Sequence, residues 1–452
     1  MVSRVVFLHY HGVGHLNPCF PLARILQRHG YHVTFAGVAH FQQYVTTQGF
    51  SFYPLRSVPF GLGFETWVNT IEKRKNIYWS ALKDRISDRL YSMRMIELGQ
   101  MLTDLSPDIL LVDATQATDF IVLYPLVKEK AIKIAMVHAM FPTQVLAGRP
   151  PVNSGAFPAD RQAVAKAMHK FKADRRKKKW TQKLRYLTWD DQYLVERRLI
   201  KNQVPAYYRS KTPSLFYYNP YGLMEFVLSP REFDFPDFET DPYQHYIGFM
   251  QNPFKADGID AAYASVRKEI IVRKLAQKLK VVYCSFGTIE TDHKEVIHNF
   301  FKRLIQVADQ RKFLLIISTG SKNVRMEDLP HSEGVYLFQS VPQIDVLGFA
   351  DLFITHGGLS SIKESIHAGV PMLMYPVHTE FDPVGNAARV AYHGLGLRGD
   401  ASSDSPSVVW NNIEEVLTSP RFQENVRLMH TINEKYTEQH FLDLFQKIQP
   451  VR

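Results

Sequence analysis

A short apolar segment rich in β-branched and aromatic residues, Arg4–Tyr10, runs into a glycine-bearing turn. The chain continues into NPCFPLARILQRHG, whose apolar residues recur at helical spacing, and then into a second apolar segment, HVTFAG. This order constrains the fold more than any other feature of the sequence. Two strands joined through a helix return to one sheet as parallel neighbours, and the crossover is right-handed. Pro18 suits the first turn of the intervening helix and Gly30 its end. Apolar strands recur at Ile109–Val112 and Ile132–Val137, so the first half is expected to form a doubly wound α/β domain. Its middle, Gly148–Tyr218, is basic, aromatic and irregular in period, and is expected as helices and loops outside the sheet. A second series follows, with VVYCSFGT, FLLIISTG, GVYLFQS, DLFITHGG and PMLMYP alternating with helical stretches such as HKEVIHNFFKRLIQVADQ. Two α/β domains facing each other across a cleft are therefore predicted. The divisions are 1–245, a connection over 246–262, 263–430, and a closing helical segment over 431–452 that returns towards the first domain.

Length agrees with two cores, because 452 residues exceed what one ordinary core holds. An apolar share of 45% with 22% charged residues excludes wholesale disorder. No apolar run approaches the roughly 18–20 residues that span a bilayer. The opening MVSRVVFLHYHGVGH turns polar too soon for a secretory signal, so a cytoplasmic location is expected. The two cysteines, Cys19 and Cys284, sit among apolar neighbours and offer neither a disulfide framework nor a zinc site. The net charge of +10 is partly concentrated in Lys170–Trp180 (KFKADRRKKKW). No nucleic-acid module accompanies that run, so no nucleic-acid partner is expected. It reads as a solvated helix face with at most weak attraction to an anionic membrane surface.

The most informative stretch is Phe353–Pro376, FITHGGLSSIKESIHAGVPMLMYP. A strand ends at His356, two glycines allow close backbone approach, and Ser360 and Ser361 lead into a helix carrying Glu364 one turn in. A helix start with free N–H groups, hydroxyls and an imidazole is an anion site, and a carboxylate one turn on can reach a ribose diol.

Together with VPQIDVL, AGVP, FDPVGNAARV, a central SFGT and the N-terminal HGVGHLNP, this string resembles the signature of nucleotide-sugar-dependent glycosyltransferases of the GT-B fold. That superfamily includes plant secondary-product glucosyltransferases and bacterial macrolide and carotenoid glycosyltransferases. The resemblance implies two Rossmann-like domains, the first binding an acceptor and the second a nucleotide-sugar donor. It implies that His356, Ser360 and Ser361, with the backbone at Gly14 and Gly358, hold the diphosphate, and that Glu364 holds the ribose hydroxyls. Gln343 would lie beside the uracil, while Ser285, Gly287 and Thr288 would offer donors to the phosphates. The sequence departs from the plant pattern in two places. Ser340 stands where a base-stacking Trp is expected, and the sugar-gripping Asp/Glu–Gln pair reads Asp382–Pro383, leaving Asp382, or else Glu380, as the sugar contact.

By the same resemblance His15 is the general base, with His11 and His9 as competitors, and Asp113 orients it, with Asp119 as the alternative. A carboxylate ending the apolar strand ILLVD points into the ligand crevice of a parallel sheet. A place at a helix N-terminus is expected to keep His15 neutral through the dipole. Phe60, Trp67, Met140 and Phe141 are expected to line an apolar acceptor pocket. The expected reaction is an inverting, metal-independent transfer of a hexosyl group, glucose from UDP-glucose, to a hydroxyl of a small apolar or aromatic acceptor. No cofactor beyond that co-substrate is implied. A nucleotide-sugar epimerase and a non-catalytic nucleotide-sugar binder are the rival readings. A nicotinamide dehydrogenase is disfavoured because the first turn lacks GxGxxG.

Overall fold

The computed structural model describes residues 2–9, 12–210, 212–236, 238, 241–250, 261–287, 293–320 and 324–451. The first sheet has seven parallel strands: β1 (Arg4–Leu8), β2 (His32–Val38), β3 (Ser51–Leu55), β4 (Ile109–Asp113), β5 (Lys133–His138), β6 (Met224–Val227) and β7 (Gln244–Tyr246), in the spatial order 3-2-1-4-5-6-7. A second sheet has six: β8 (Val281–Ser285), β9 (Leu314–Ser318), β10 (Val335–Phe338), β11 (Leu352–Thr355), β12 (Met372–Met374) and β13 (Gly396–Arg398), in the order 10-9-8-11-12-13. Both are doubly wound, with helices on the two faces.

The apolar strands are buried on both sides, which is why they read as continuous runs rather than as alternations. In β1, Val5 and Phe7 join the core beneath the Cys19–Arg28 helix, while Val6 and Leu8 join the core on the opposite face. In β8, Val281 and Tyr283 face one way, and Val282 and Cys284 the other. Both cysteines are buried and free.

Each sheet has a switch point where the strand order reverses, and ligands of open α/β sheets bind outside the strand ends at that place. In the first sheet it lies between β1 and β4, whose register pairs Leu8 with Val112 and so brings His9 level with Asp113. In the second it lies between β8 and β11, where Ser285 pairs with Thr355, bringing Phe286 level with His356.

The last helix, Glu438–Phe445, packs Phe441, Leu442 and Phe445 into the core of the first sheet. A second tie between the domains is ionic. Asp234, buried in the first domain, pairs with Arg149 at 2.9 Å and with Arg389 of the second domain at 2.8 Å. The basic run lies on the 25-residue helix Arg161–Arg185, of which only Phe171 is buried. Among the described residues no helix is long and apolar enough to cross a membrane.

Candidate functional site

His15 follows β1 on the short helix Val13–Leu16, and Asp113 closes β4. The His15 Nδ1 to Asp113 Oδ2 distance is 2.8 Å, with the His15 side chain 23% exposed and the carboxylate 1% exposed. His9 Nδ1 reaches the same oxygen at 3.2 Å. The other oxygen, Oδ1, accepts from Thr115 N at 2.8 Å and from Thr115 Oγ1 at 2.6 Å. Burial alone would raise the Asp113 pKa, but the two imidazoles and their hydrogen bonds hold it well below the usual carboxylate range. Asp113 is therefore an anion, so His15 Nδ1 carries the proton and Nε2 is left as the acceptor.

The expectation of a dipole-neutralised His15 is overturned. His15 lies on a helix of only four residues, a single turn with no dipole to keep the ring neutral. Burial lowers its pKa, but the charge and hydrogen bond of Asp113, with Asp382 across the crevice, outweigh that and leave it raised above the ordinary 6.5. Asp119, the alternative partner, belongs to a buried pair with Arg94 at 2.6 Å. His11 and Thr288 lie outside the described residues.

On the opposite side the helix Leu359–Ala368 begins at Gly358 with no side-chain cap, so its first N–H groups stay open. His356 is buried just before it. A Cβ on Gly287 or on Gly358 would come within 3.0 Å of the His356 ring, so only glycines on both sides leave room for it. Burial, with His378 nearby, drops the His356 pKa to about 4, and the ring is neutral at neutral pH. It can donate a hydrogen bond to an anion but cannot pair with it as a cation.

Gln343 Nε2 donates to Glu364 Oε2 at 2.6 Å and lies 3.3 Å from Ser361 Oγ, while Tyr283 OH reaches Gln343 Oε1 at 3.3 Å. Burial raises the Glu364 pKa against the opposing pull of Gln343 and Lys363. Ser285 ends β8, its Oγ accepting from Gly287 N at 3.4 Å. Asp382 precedes the helix Pro383–Tyr392 and accepts from Asn386 Nδ2 at 2.8 Å. Asn386 Nδ2 also donates to Gly357 O at 2.9 Å, tying the Asp382 corner to the His356 corner. Glu380 is exposed on the loop before it. Ser360 Oγ donates to Gly14 O at 3.3 Å, so the two switch points touch across the crevice.

His9, a competitor for the base by sequence, is instead a second partner of Asp113, and Thr115 and Asn386 join the site without any motif to mark them. The signal for His9 was its level with Asp113 in a parallel pair, which needs the strand order to be read. The acceptor residues are a partial correction. Phe60 packs edge-to-face on Tyr91 at 5.2 Å inside the first core, and Phe141 is fully buried beneath the Arg389 guanidinium at 4.0 Å. Both rings are occupied by packing and do not line an open pocket. Met140 is buried at the end of β5, and Trp67 is 47% exposed on the helix Glu65–Ile71. Among the described residues no group of three or more His, Cys, Asp or Glu is arranged to hold a metal ion.

Residues 271–439 match the family model described as "UDP-glucoronosyl and UDP-glucosyl transferase". The uncharacterized UDP-glucosyltransferase YdhE of Bacillus subtilis is 29% identical over 161 residues, 35% of this chain and 38% of that protein. The zeaxanthin glucosyltransferase of Pantoea ananas is 26% identical over 152 residues, 33% of this chain and 34% of that protein. The matched region thus spans little more than a third of these relatives' length. Among solved structures, the glycotransferase of kitacinnamycin superposes with a TM-score of 0.68 at 20% identity, covering 99% of each chain. A spinosyn rhamnosyltransferase complexed with thymidine diphosphate gives a TM-score of 0.61 at 15% identity, covering 99% of this chain and 100% of the other. Residues 271–439 are thus similar to the UDP-glycosyltransferase family, and the whole length of the chain takes the GT-B fold.

Proposed function

We propose that the chain transfers a hexosyl group, glucose from UDP-glucose, to a hydroxyl of a small apolar or aromatic acceptor by direct displacement, with inversion and without a metal. The observation that carries this reading is the pairing of two switch points. An oriented, ionised Asp113–His15 dyad lies across a crevice from an open helix start flanked by His356 and Ser361. His15 Nε2 would take the acceptor proton as the acceptor oxygen attacks the anomeric carbon, and the bond from that carbon to the diphosphate oxygen would break. The charge arriving on the diphosphate would meet the open N–H groups of the Leu359–Ala368 helix, the neutral His356 and the Ser360 and Ser361 hydroxyls. Gln343 and Glu364, joined by their hydrogen bond, would receive the base and the ribose. Asp382, held by Asn386 and close enough to raise the His15 pKa, would contact the sugar. The names of the relatives, a zeaxanthin glucosyltransferase among them, support an acceptor of natural-product type.

A thermal-shift series with uridine and thymidine diphosphate sugars tests the donor assignment. Stabilisation of about 2.7 kcal/mol is expected when UDP-glucose is present at about one hundred times its Kd. Glu364→Ala should lose most of that shift while melting normally without ligand. If no nucleotide sugar moves the melting temperature, the proposal fails at its first step.

The raised His15 pKa gives a second test. A base must be neutral to act, so kcat/KM should fall as pH drops through a value above 6.5. Asp113→Asn removes the group that lifts that pKa and leaves the burial that lowers it. The acid limb should therefore move to lower pH while the plateau falls. A limb that stays in place would show that another group titrates.

A further inference from the structure

The basic face of the Arg161–Arg185 helix has no part in the transfer reaction, yet it faces more than water. It forms one wall of a groove of about 900 Å³, facing the helix Asp191–Lys201 and closed by residues of the 209–219 segment. That volume falls within the roughly 300–1,000 Å³ typical of small-molecule clefts. None of the residues placed at the crevice lines it. The inference therefore goes beyond the proposed transfer and does not depend on it.

Charge in the groove is one-sided. Lys172, Arg175, Arg176, Lys179 and Arg209 line it against a single carboxylate, Glu196, which already accepts from Gln192 Nε2 at 2.6 Å. Among the described residues none of the five is paired with a carboxylate, whereas the adjoining Arg197 and Arg198 share Asp88. Arg175 donates instead to Ser214 O and stands 5.5 Å from the Tyr217 ring, and Arg209 Nη2 donates to Val204 O at 2.8 Å. Burial lowers the Arg175 pKa, opposed in part by the Tyr217 phenol, and no carboxylate pairs with it among the described residues.

Apolar surface lies beneath these cations, from Phe171, Leu199 and Phe216. Three buried polar atoms on lining residues have no hydrogen-bond partner among the described residues: Tyr217 OH, Asn219 Nδ2 and Arg209 Nε. Asn219 is only 6% exposed, and an amide donor left bare at that depth costs about 1–3 kcal/mol. Unmatched cations, an apolar floor and orphaned donors together match an occupant with an apolar body, a negative head and hydrogen-bond acceptors.

We propose that this groove binds a free amphiphilic anion, its apolar body on Phe171, Leu199 and Phe216 and its carboxylate, sulfate or phosphate head at Arg175, Arg176 and Lys179. A groove walled by two helices suits a single molecule, because a flat lipid surface would need only the exposed charges of the outer helix face.

Isothermal titration calorimetry of the full chain with dodecyl phosphate below its micelle concentration tests this. Saturable binding to one site is expected, with inorganic phosphate and dodecyl maltoside each weaker by about tenfold or more. Arg176→Glu combined with Lys179→Glu should weaken dodecyl phosphate by about tenfold or more. These two side chains make no contact that folding needs, so the melting temperature should not move. Inorganic phosphate binding as tightly as the amphiphile would reduce the groove to a charged patch. Sedimentation with phosphatidylserine vesicles, without binding of the free amphiphile, would reassign it to a membrane. Either result, or the absence of saturable binding, overturns the proposal.

Discussion

His15→Ala is expected to lower the rate of sugar transfer by about 10²–10⁴-fold while leaving the affinity for the nucleotide sugar unchanged. The two halves of that expectation come from different domains. The proposed base, His15, follows the first strand of the first domain, whereas Gln343, His356, Ser361 and Glu364, proposed to hold the nucleotide, lie in the second domain. Removing the imidazole leaves Asp113 with His9 at 3.2 Å and with both bonds from Thr115, so the buried carboxylate keeps partners and the fold should survive. Loss of the ring also removes the positive partner that His15 supplies to Asp113 when protonated, so the stability cost lies below the raised His15 pKa and fades as pH rises through it. The measurement is kcat/KM for transfer beside a donor titration on the same preparation. Full transfer activity in the variant would place the base elsewhere. A parallel loss of donor affinity would show that His15 acts on the phosphates rather than on the acceptor.

Much of the architecture could be read from the sequence because its signals are local. β1, β4, β5, β8, β9 and β11 are buried on both faces, so each shows as an unbroken apolar run. The strands that could not be read are those whose environment differs. β3 is an edge strand, half-exposed and carrying Pro54, which no central strand accepts. β6 and β7 are four and three residues long, and their places in the sheet come from tertiary packing rather than from any periodicity of their own. The REFDFP stretch ahead of β7 carries no strand or helix periodicity, yet it holds the Asp234 anchor of the domain interface. The site divides in the same way. His15, Asp113, His356 and Glu364 stand out because they sit in dense motifs at strand ends. His9, Thr115 and Asn386 act through distances of 2.6–3.2 Å that exist only once the strand order is set. Phe60 and Phe141 failed as pocket residues for a related reason. An aromatic residue beside a crevice and one beneath it have the same local sequence, and only packing tells them apart.

Arg85→Met should destabilise the protein by about 3–5 kcal/mol, the cost of leaving buried carboxylates without their cation. Arg85 is fully buried, and its Nη2 lies 2.7 Å from Glu65 Oε2 and 2.7 Å from Asp191 Oδ1. One guanidinium on the Ile77–Ile86 helix thus serves two carboxylates, one from Glu65–Ile71 and one from Asp191–Lys201, and ties three helices together. Burial, against the pull of Arg85 and with Asp191 adding repulsion, already raises the Glu65 pKa to about 7. Without Arg85 both acids must bind protons to remain inside. The folded state then holds protons that the unfolded state has released, so stability falls as pH rises above the ordinary carboxylate range. The deficit should therefore be smaller near pH 5 and larger near pH 8, which denaturant melts at the two values would resolve. Adding Glu65→Gln and Asp191→Asn to Arg85→Met should recover most of the loss, because the penalty comes from the stranded charge and not from the missing pair. If Arg85→Met is as costly at pH 5 as at pH 8, the clamp is a matter of packing, supplied by the guanidinium lying 4.0 Å over the Tyr186 ring. The clamp is reinforced by backbone packing, because Gly61 sits where an added Cβ would meet Val195 at 2.7 Å, so the turn before the Glu65–Ile71 helix rests directly on the helix that Arg85 holds.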